Sequence, residues 1–268
     1  MPATWIDPTA QPTVTSRLLD AEGWLTYGFT RRSEGMGLAD GNVSYSGGRD
    51  RDDAWEMRRR WLEPLGLDPE AIVTTGQVHG NTVVAVEESD RGSGARPGSA
   101  ILGLADATMT DAAGPVLFSL HADCLPILLA DPVRRVVAVT HAGWRGTVAD
   151  IAGETVRAMG DRYGSRPDEL IAFLGPAISG EHYEVGPEVV SAWQAIPDAD
   201  TAAFWPGRGD RWQFDTVVAN ASRLIAAGMP PANIERSGIC TRRSSADWFS
   251  HRAQGPTTGR FGAFIAIR

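Results

Sequence analysis

Residues 119–147, SLHADCLPILLADPVRRVVAVTHAGWRGT, constrain this chain more than any other stretch. Two short apolar runs, 127–130 and 136–140, read as strands. Each has reactive side chains at one end: His121, Asp123 and Cys124 precede the first run, and His141 follows the second. A thiol and an imidazole 17 positions apart, each at the rim of a strand, can meet at one edge of a sheet. Gln77-Val78-His79-Gly80 offers a third partner upstream.

Bulk properties limit what such a site can serve. The chain has 268 residues, 43% of them hydrophobic and 22% charged, which suits a soluble globular protein with a sizeable core. A net charge of -8 argues against a nucleic-acid partner. No apolar run is long enough for a membrane span, and residues 1–15 lack the basic start and apolar run of a secretion signal. Cys124 and Cys240 are too few for a disulfide framework, so a cytosolic setting is expected. All 25 basic residues are arginine, which rules out lysine Schiff-base chemistry and a lysine-dependent phosphate loop.

Taken in order, residues 1–15 read as a loose tail and 16–268 as one mixed α/β domain. Strands are expected at 24–30, 72–78, 81–86, 105–110, 116–120, 170–174, 234–241 and 260–267, besides the two in the central stretch. Helices are expected at 52–65, 147–159 and 187–193. Another is expected at 216–227, with Asp215 as its N-cap. Residues 31–48, rich in Gly and Ser, read as a long loop of the kind that often carries function.

The candidate site has more than one chemical reading. Two imidazoles and a thiolate from His79, His141 and Cys124 suit zinc with an open position, and copper also accepts them. A multicopper oxidase needs about ten histidines by ligand counting, and this chain has five. Without metal, Cys124 can act as a nucleophile with His141 as its base. His141-Ala142-Gly143-Trp144-Arg145-Gly146-Thr147 passes from strand to helix start. Its backbone N–H groups, with Gly143, Gly146 and Arg145, are expected to bind an anion. Asp106 is expected to orient a ligand histidine or contact substrate. Trp144 is well placed to stack on a flat ring. Ser250-His251-Arg252 and Thr258-Gly259-Arg260 add charge near the last strand.

These motifs, with Ala122-Asp123-Cys124-Leu125-Pro126, Gly175-Pro176-Ala177-Ile178 and Tyr183-Glu184-Val185-Gly186, resemble the laccase-domain family from about Gly28 to the C-terminus. Members have been called multicopper polyphenol oxidases, purine nucleoside phosphorylases and peptidoglycan editing factors. The resemblance implies a sandwich of helices around two mixed β-sheets, shared with toxin cysteine hydrolases of the cytotoxic-necrotizing-factor type. It implies zinc on His79, Cys124 and His141. It also implies phosphorolysis of adenosine, inosine, guanosine and methylthioadenosine, with adenosine deamination as a further activity. Small-molecule nucleosides and phosphate are then the expected partners, with Gln77, Asp106, Arg145 and Arg59 as further binding residues. A copper-dependent oxidase and an amidase acting on cell-wall precursors are the alternatives. His121 and the Arg58-Arg59 pair depart from residues usual in the family.

Overall fold

The structure is a computed structural model that describes residues 14–268. The expected tail therefore lies almost wholly outside the described residues. The two central runs form the antiparallel strands Leu125–Asp131 and Val136–Ala142. They lie in the middle of a six-stranded mixed sheet, between Ile171–Leu174 on one side and Ala107–Thr110 on the other. Ile234–Arg236 and Val83–Ala85 complete its edges by parallel pairing. A second mixed sheet orders Leu25–Phe29, Phe261–Ile267, Val116–His121 and Ile72–Val73.

The two central strands are apolar without a break because both of their faces are covered. Ile127 and Leu129 point to the helices Ile151–Tyr163 and Thr216–Ala226, meeting Val156, Met159 and Leu224. Leu128 and Ala130 point the other way, into a layer shared with Leu117, Phe261 and Ile265 of the second sheet. The helix Arg51–Leu62 closes the far side of that sheet with Met57, Trp61 and Leu62. The result is a four-layer mixed α/β sandwich, as the resemblance implied. A small antiparallel sheet, Glu184–Val185, Trp212–Phe214 and Phe204–Pro206, is additional. Its strands of two or three residues are too short to show a period in the sequence.

Several expected elements differ in extent. Residues 72–78 and 81–86 yield only Ile72–Val73 and Val83–Ala85, and these belong to different sheets. The segment between them crosses from one sheet to the other. The helix expected over 147–159 is interrupted: Trp144–Val148 ends, and Ile151–Tyr163 begins after Asp150 at φ 62°. Residues 234–241 keep a strand only at Ile234–Arg236, followed by a bridge between Ala177 and Cys240. Asp215 caps its helix as expected, accepting from the N–H groups of Val217 and Val218. Among the described residues, no helix is long and apolar enough to cross a membrane.

Candidate metal centre and cleft

Asp106, just ahead of the strand Ala107–Thr110, ties the crossing segment to the central sheet. Its Oδ1 accepts from the His79 N–H at 3.0 Å and from His141 Nδ1 at 2.9 Å. Its Oδ2 accepts from the Gly80 N–H at 2.7 Å and the Val78 N–H at 3.2 Å. This segment needs such a clamp, because His79 sits at φ 61°, a left-handed conformation costly for a residue with a Cβ. Burial pushes the Asp106 carboxyl up, but the His141 bond and the N–H groups of Gly80 and His79 outweigh it and hold it below its usual range. Its side chain is wholly buried and its oxygens are occupied within the protein. Of the two roles expected for Asp106, these bonds favour orienting His141 over a contact with substrate.

His141 lies inside the strand Val136–Ala142, opposite Pro126, rather than beyond the strand's end as expected. The strand runs two residues further because Asp106's carbonyl accepts the His141 N–H and Ala142 pairs with Leu125. With Nδ1 on Asp106, the Nε2 of His141 is the nitrogen left for a ligand. Cys124 precedes Leu125–Asp131, behind the tight turn at Asp123, where φ is 89°. The Asp123 carboxylate fixes that turn by accepting from Thr241 Oγ1 at 2.7 Å and the Arg252 N–H at 2.6 Å.

His121 supports the turn from below. Its Nδ1 lies 3.1 Å from the Cys124 carbonyl, which can only accept, so Nδ1 carries the proton. Ser119 Oγ then donates to Nε2 at 2.7 Å. Burial, and next the charge of His141, keep this ring neutral. His121 is thus a buttress whose two nitrogens are both in use.

The structure brings His79, Cys124 and His141 together, with donor atoms all within 4.8 Å of one another. Burial pushes the Cys124 thiol up. The His141 charge and hydrogen bonds from both imidazoles pull it down further than that, towards the thiolate that ligates metals. Two nitrogens and one sulfur at this spacing, with a carboxylate behind one imidazole, fit a transition-metal ion with a position left open. Gly143 makes the approach possible. A Cβ there would lie 2.7 Å from His79 Cδ2 and 3.2 Å from Cys124 Sγ. A Cβ on Gly146 would lie 2.8 Å from the Gly80 carbonyl oxygen.

Those contacts give both glycines of the expected anion site a packing role. Gly143 and Gly146 allow two segments to pack closely, and the helix behind them, Trp144–Val148, has only five residues to build a dipole. Arg145 is exposed, with its guanidinium 4.4 Å from the centre of the Trp144 ring. Gln77 lines the cleft with its amide tied to backbone. Its Nε2 donates to the Leu120 carbonyl and its Oε1 accepts the Leu120 N–H, both at 2.9 Å. Arg59 stands on the exposed face of its helix, paired with Glu56 and Glu63, away from the site. Its neighbour Arg58 is the buried one, donating to the carbonyls of Val43, Gly94 and Ala95.

A cleft of about 600 Å³ opens over the three candidate ligands. Trp144 and Tyr183 present rings to it, and Arg145, Arg252 and Arg260 bring charge. Ser44 and Ser46 line it from the long N-terminal loop. The sequence drew attention to that loop and to the motif ending at Arg260, but nothing in the linear order joins two segments more than 200 residues apart.

The chain belongs to the family described as multi-copper polyphenol oxidoreductase laccase, whose model matches residues 26–268. It is 35% identical over 266 residues to a purine nucleoside phosphorylase YlmD of Geobacillus stearothermophilus, covering 93% of this chain and 96% of that one. It is 36% identical over 233 residues to an adenosine deaminase RL5 from an unknown prokaryotic organism, covering 84% and 88% respectively. The crystal structure of YlmD from Geobacillus stearothermophilus superposes with a TM-score of 0.88 at 34% identity, over 92% of this chain and 93% of that one.

Proposed function

We propose that this protein is a zinc-dependent purine nucleoside phosphorylase, acting on adenosine, inosine, guanosine and methylthioadenosine, that also deaminates adenosine. The observation that carries the reading is the His79, Cys124 and His141 trio at the floor of a cleft bordered by rings and guanidiniums. Relatives named for both activities, matched over most of their length, support it.

In this reading His79, Cys124 and His141 hold the zinc. When bound, the ion supplies Lewis-acid polarisation, chemistry suited to breaking a C–N bond. Asp106 keeps His141 in the tautomer that leaves Nε2 facing the centre. Trp144 and Tyr183 offer flat faces to a purine. Arg145, Arg252 and Arg260 supply the positive charge that a phosphate co-substrate needs. We place the reaction in the cytosol, where free thiols at Cys124 and Cys240 persist.

The test is product analysis with purified protein and each nucleoside, with and without phosphate. Free purine and the matching sugar 1-phosphate (ribose 1-phosphate, or 5-methylthioribose 1-phosphate from methylthioadenosine) should form only with phosphate, while ammonia from adenosine should form without it. Absence of both products, together with copper-dependent oxidation of a phenol, would favour the oxidase alternative. Hydrolysis of an amide in a cell-wall precursor would favour the amidase.

A further inference from the structure

Arg49 and Arg260 share an acceptor. Arg260 Nη1 donates to the Thr258 carbonyl at 2.8 Å and to the Gly259 carbonyl at 2.9 Å. Arg49 Nη2 donates to the same Thr258 carbonyl and, at 2.7 Å, to that of Thr257. All these partners are neutral carbonyls, and neither guanidinium is in an ion pair with a carboxylate among the described residues. Two like charges are thus held side by side with no carboxylate in contact, and Cys124 and Asp123 offset their repulsion only in part. Burial, and then the charge of Arg49, make the Arg260 cation less favourable than usual. An anion between them and the cleft removes that cost.

The surroundings are built for an oxyanion. Arg260 faces the cleft together with Ser44 and Ser46, whose hydroxyls lie 2.8 Å apart. The Ser46 carbonyl accepts from Arg49 Nη1 at 2.7 Å, so Arg49 braces the loop from behind. Asn42 Oδ1 accepts the Arg260 N–H at 2.9 Å, and Val43 donates its N–H to the Arg260 carbonyl at 3.2 Å. Buried Arg58 fixes the other side of Val43 through its carbonyl at 2.9 Å. The loop and the last strand therefore hold a fixed relation, with the exposed Ser46 hydroxyl and a fork-shaped cation on the cleft side and the buried Ser44 hydroxyl bracing Ser46. The only carboxylate among the described residues lining the cleft, Asp123, is already held by Thr241 and the Arg252 N–H.

We infer that Arg260, with the hydroxyl of Ser46 held by Ser44 and with Arg49 behind them, forms the subsite for inorganic phosphate. This deepens the phosphorylase reading and rests on it. It moves the co-substrate from the Gly143-to-Thr147 turn to the wall formed by the N-terminal loop and the last strand. Arg145, stacked on Trp144, is left to the nucleoside side.

Phosphate titrations of adenosine phosphorolysis, run on the zinc-loaded enzyme beside calorimetry with inorganic phosphate alone, test the subsite. Losing a charge-assisted contact should raise the phosphate KM of Arg260→Gln about ten- to a hundred-fold. Arg260→Lys should recover part of the loss, because it keeps the charge but not the fork. Adenosine KM should move far less, and calorimetric phosphate affinity should fall in parallel. Ser46→Ala, which removes an exposed hydroxyl, should raise the phosphate KM by a smaller factor, and it remains informative if the Arg260 variants do not fold. An unchanged phosphate KM and affinity in the variants that fold overturns the subsite. If the wild type performs no phosphorolysis, the functional reading fails separately. Calorimetry then still decides: phosphate binding weakened by Arg260→Gln or Ser46→Ala supports the subsite. Binding indifferent to both, binding of AMP in place of free phosphate, or no phosphate binding by the wild type overturns it.

Discussion

Single residues here matter through the partners they hold. Asp106 accepts from three backbone N–H groups and one imidazole, so its replacement disturbs two of the three candidate ligands at once. Asp106→Asn should weaken zinc binding about ten- to a hundred-fold, as loss of an outer-shell carboxylate commonly does. A competition titration with a chromogenic chelator measures this, and unaltered affinity would leave Asp106 with no role at the centre. Gly143→Ala should damage the centre more than the fold. Its methyl would meet the His79 ring at 2.7 Å, and that exposed ring is displaced more readily than a core strand. A loss of bound zinc with a melting temperature near that of the wild type is the expected pattern. Unfolding without a specific metal defect would contradict it. At this scale the sequence was informative about residue type and less so about role. His79, Cys124 and His141 stood out by chemistry. Gln77 and Asp106 stood out equally, yet they face backbone groups of Leu120 and the His79 segment, which no local pattern reveals.

Among the elements, the break between the helices Trp144–Val148 and Ile151–Tyr163 shows how a local conflict is settled by distant partners. Residues 147–159 have one apolar face, so periodicity alone predicts one helix. Asp150 instead takes φ 62° and accepts from Arg223 at 2.8 and 3.1 Å and from Arg157 at 2.7 Å. Arg223 belongs to the helix Thr216–Ala226, so the carboxylate joins two helices. Burial pushes the Asp150 carboxyl up, but the Arg223 and Arg157 bonds outweigh it and leave its folded-state pKa depressed. A depressed carboxylate adds stability above its unfolded pKa of about 4 and loses that contribution as pH falls through the lower folded value. Asp150→Asn, which tolerates the left-handed backbone, should cost about 2 kcal/mol at neutral pH. Melting curves at falling pH should then converge with those of the wild type, while a gap independent of pH would mean the charge plays no part. The short strands Ile72–Val73 and Val83–Ala85 teach the same lesson. Their apolar runs were legible, but not their separation into two sheets, between which Asp106 holds the connecting segment by three N–H groups.

For the molecule as a whole, fold class was legible because both central strands are covered on two faces and read as unbroken apolar runs, and the family through the motifs around His79, Cys124 and His141. The cleft was legible only in part, since its walls join the N-terminal loop to residues near the C-terminus. A net charge of -8 surrounds a cleft lined by Arg145, Arg252 and Arg260. On the proposed function, phosphate is drawn by local charge against the overall field, and kcat/KM for phosphate should respond weakly to moderate salt. A steep fall with ionic strength would point to long-range attraction instead. The proposed function, however, depends on His79, Cys124 and His141 sharing one metal ion. Elemental analysis of wild type and Cys124→Ala, purified without added metal, tests that most directly. Near-stoichiometric zinc in the wild type and almost none in the variant is the expected result. Full zinc retained by Cys124→Ala, or several copper ions in the wild type, would contradict it.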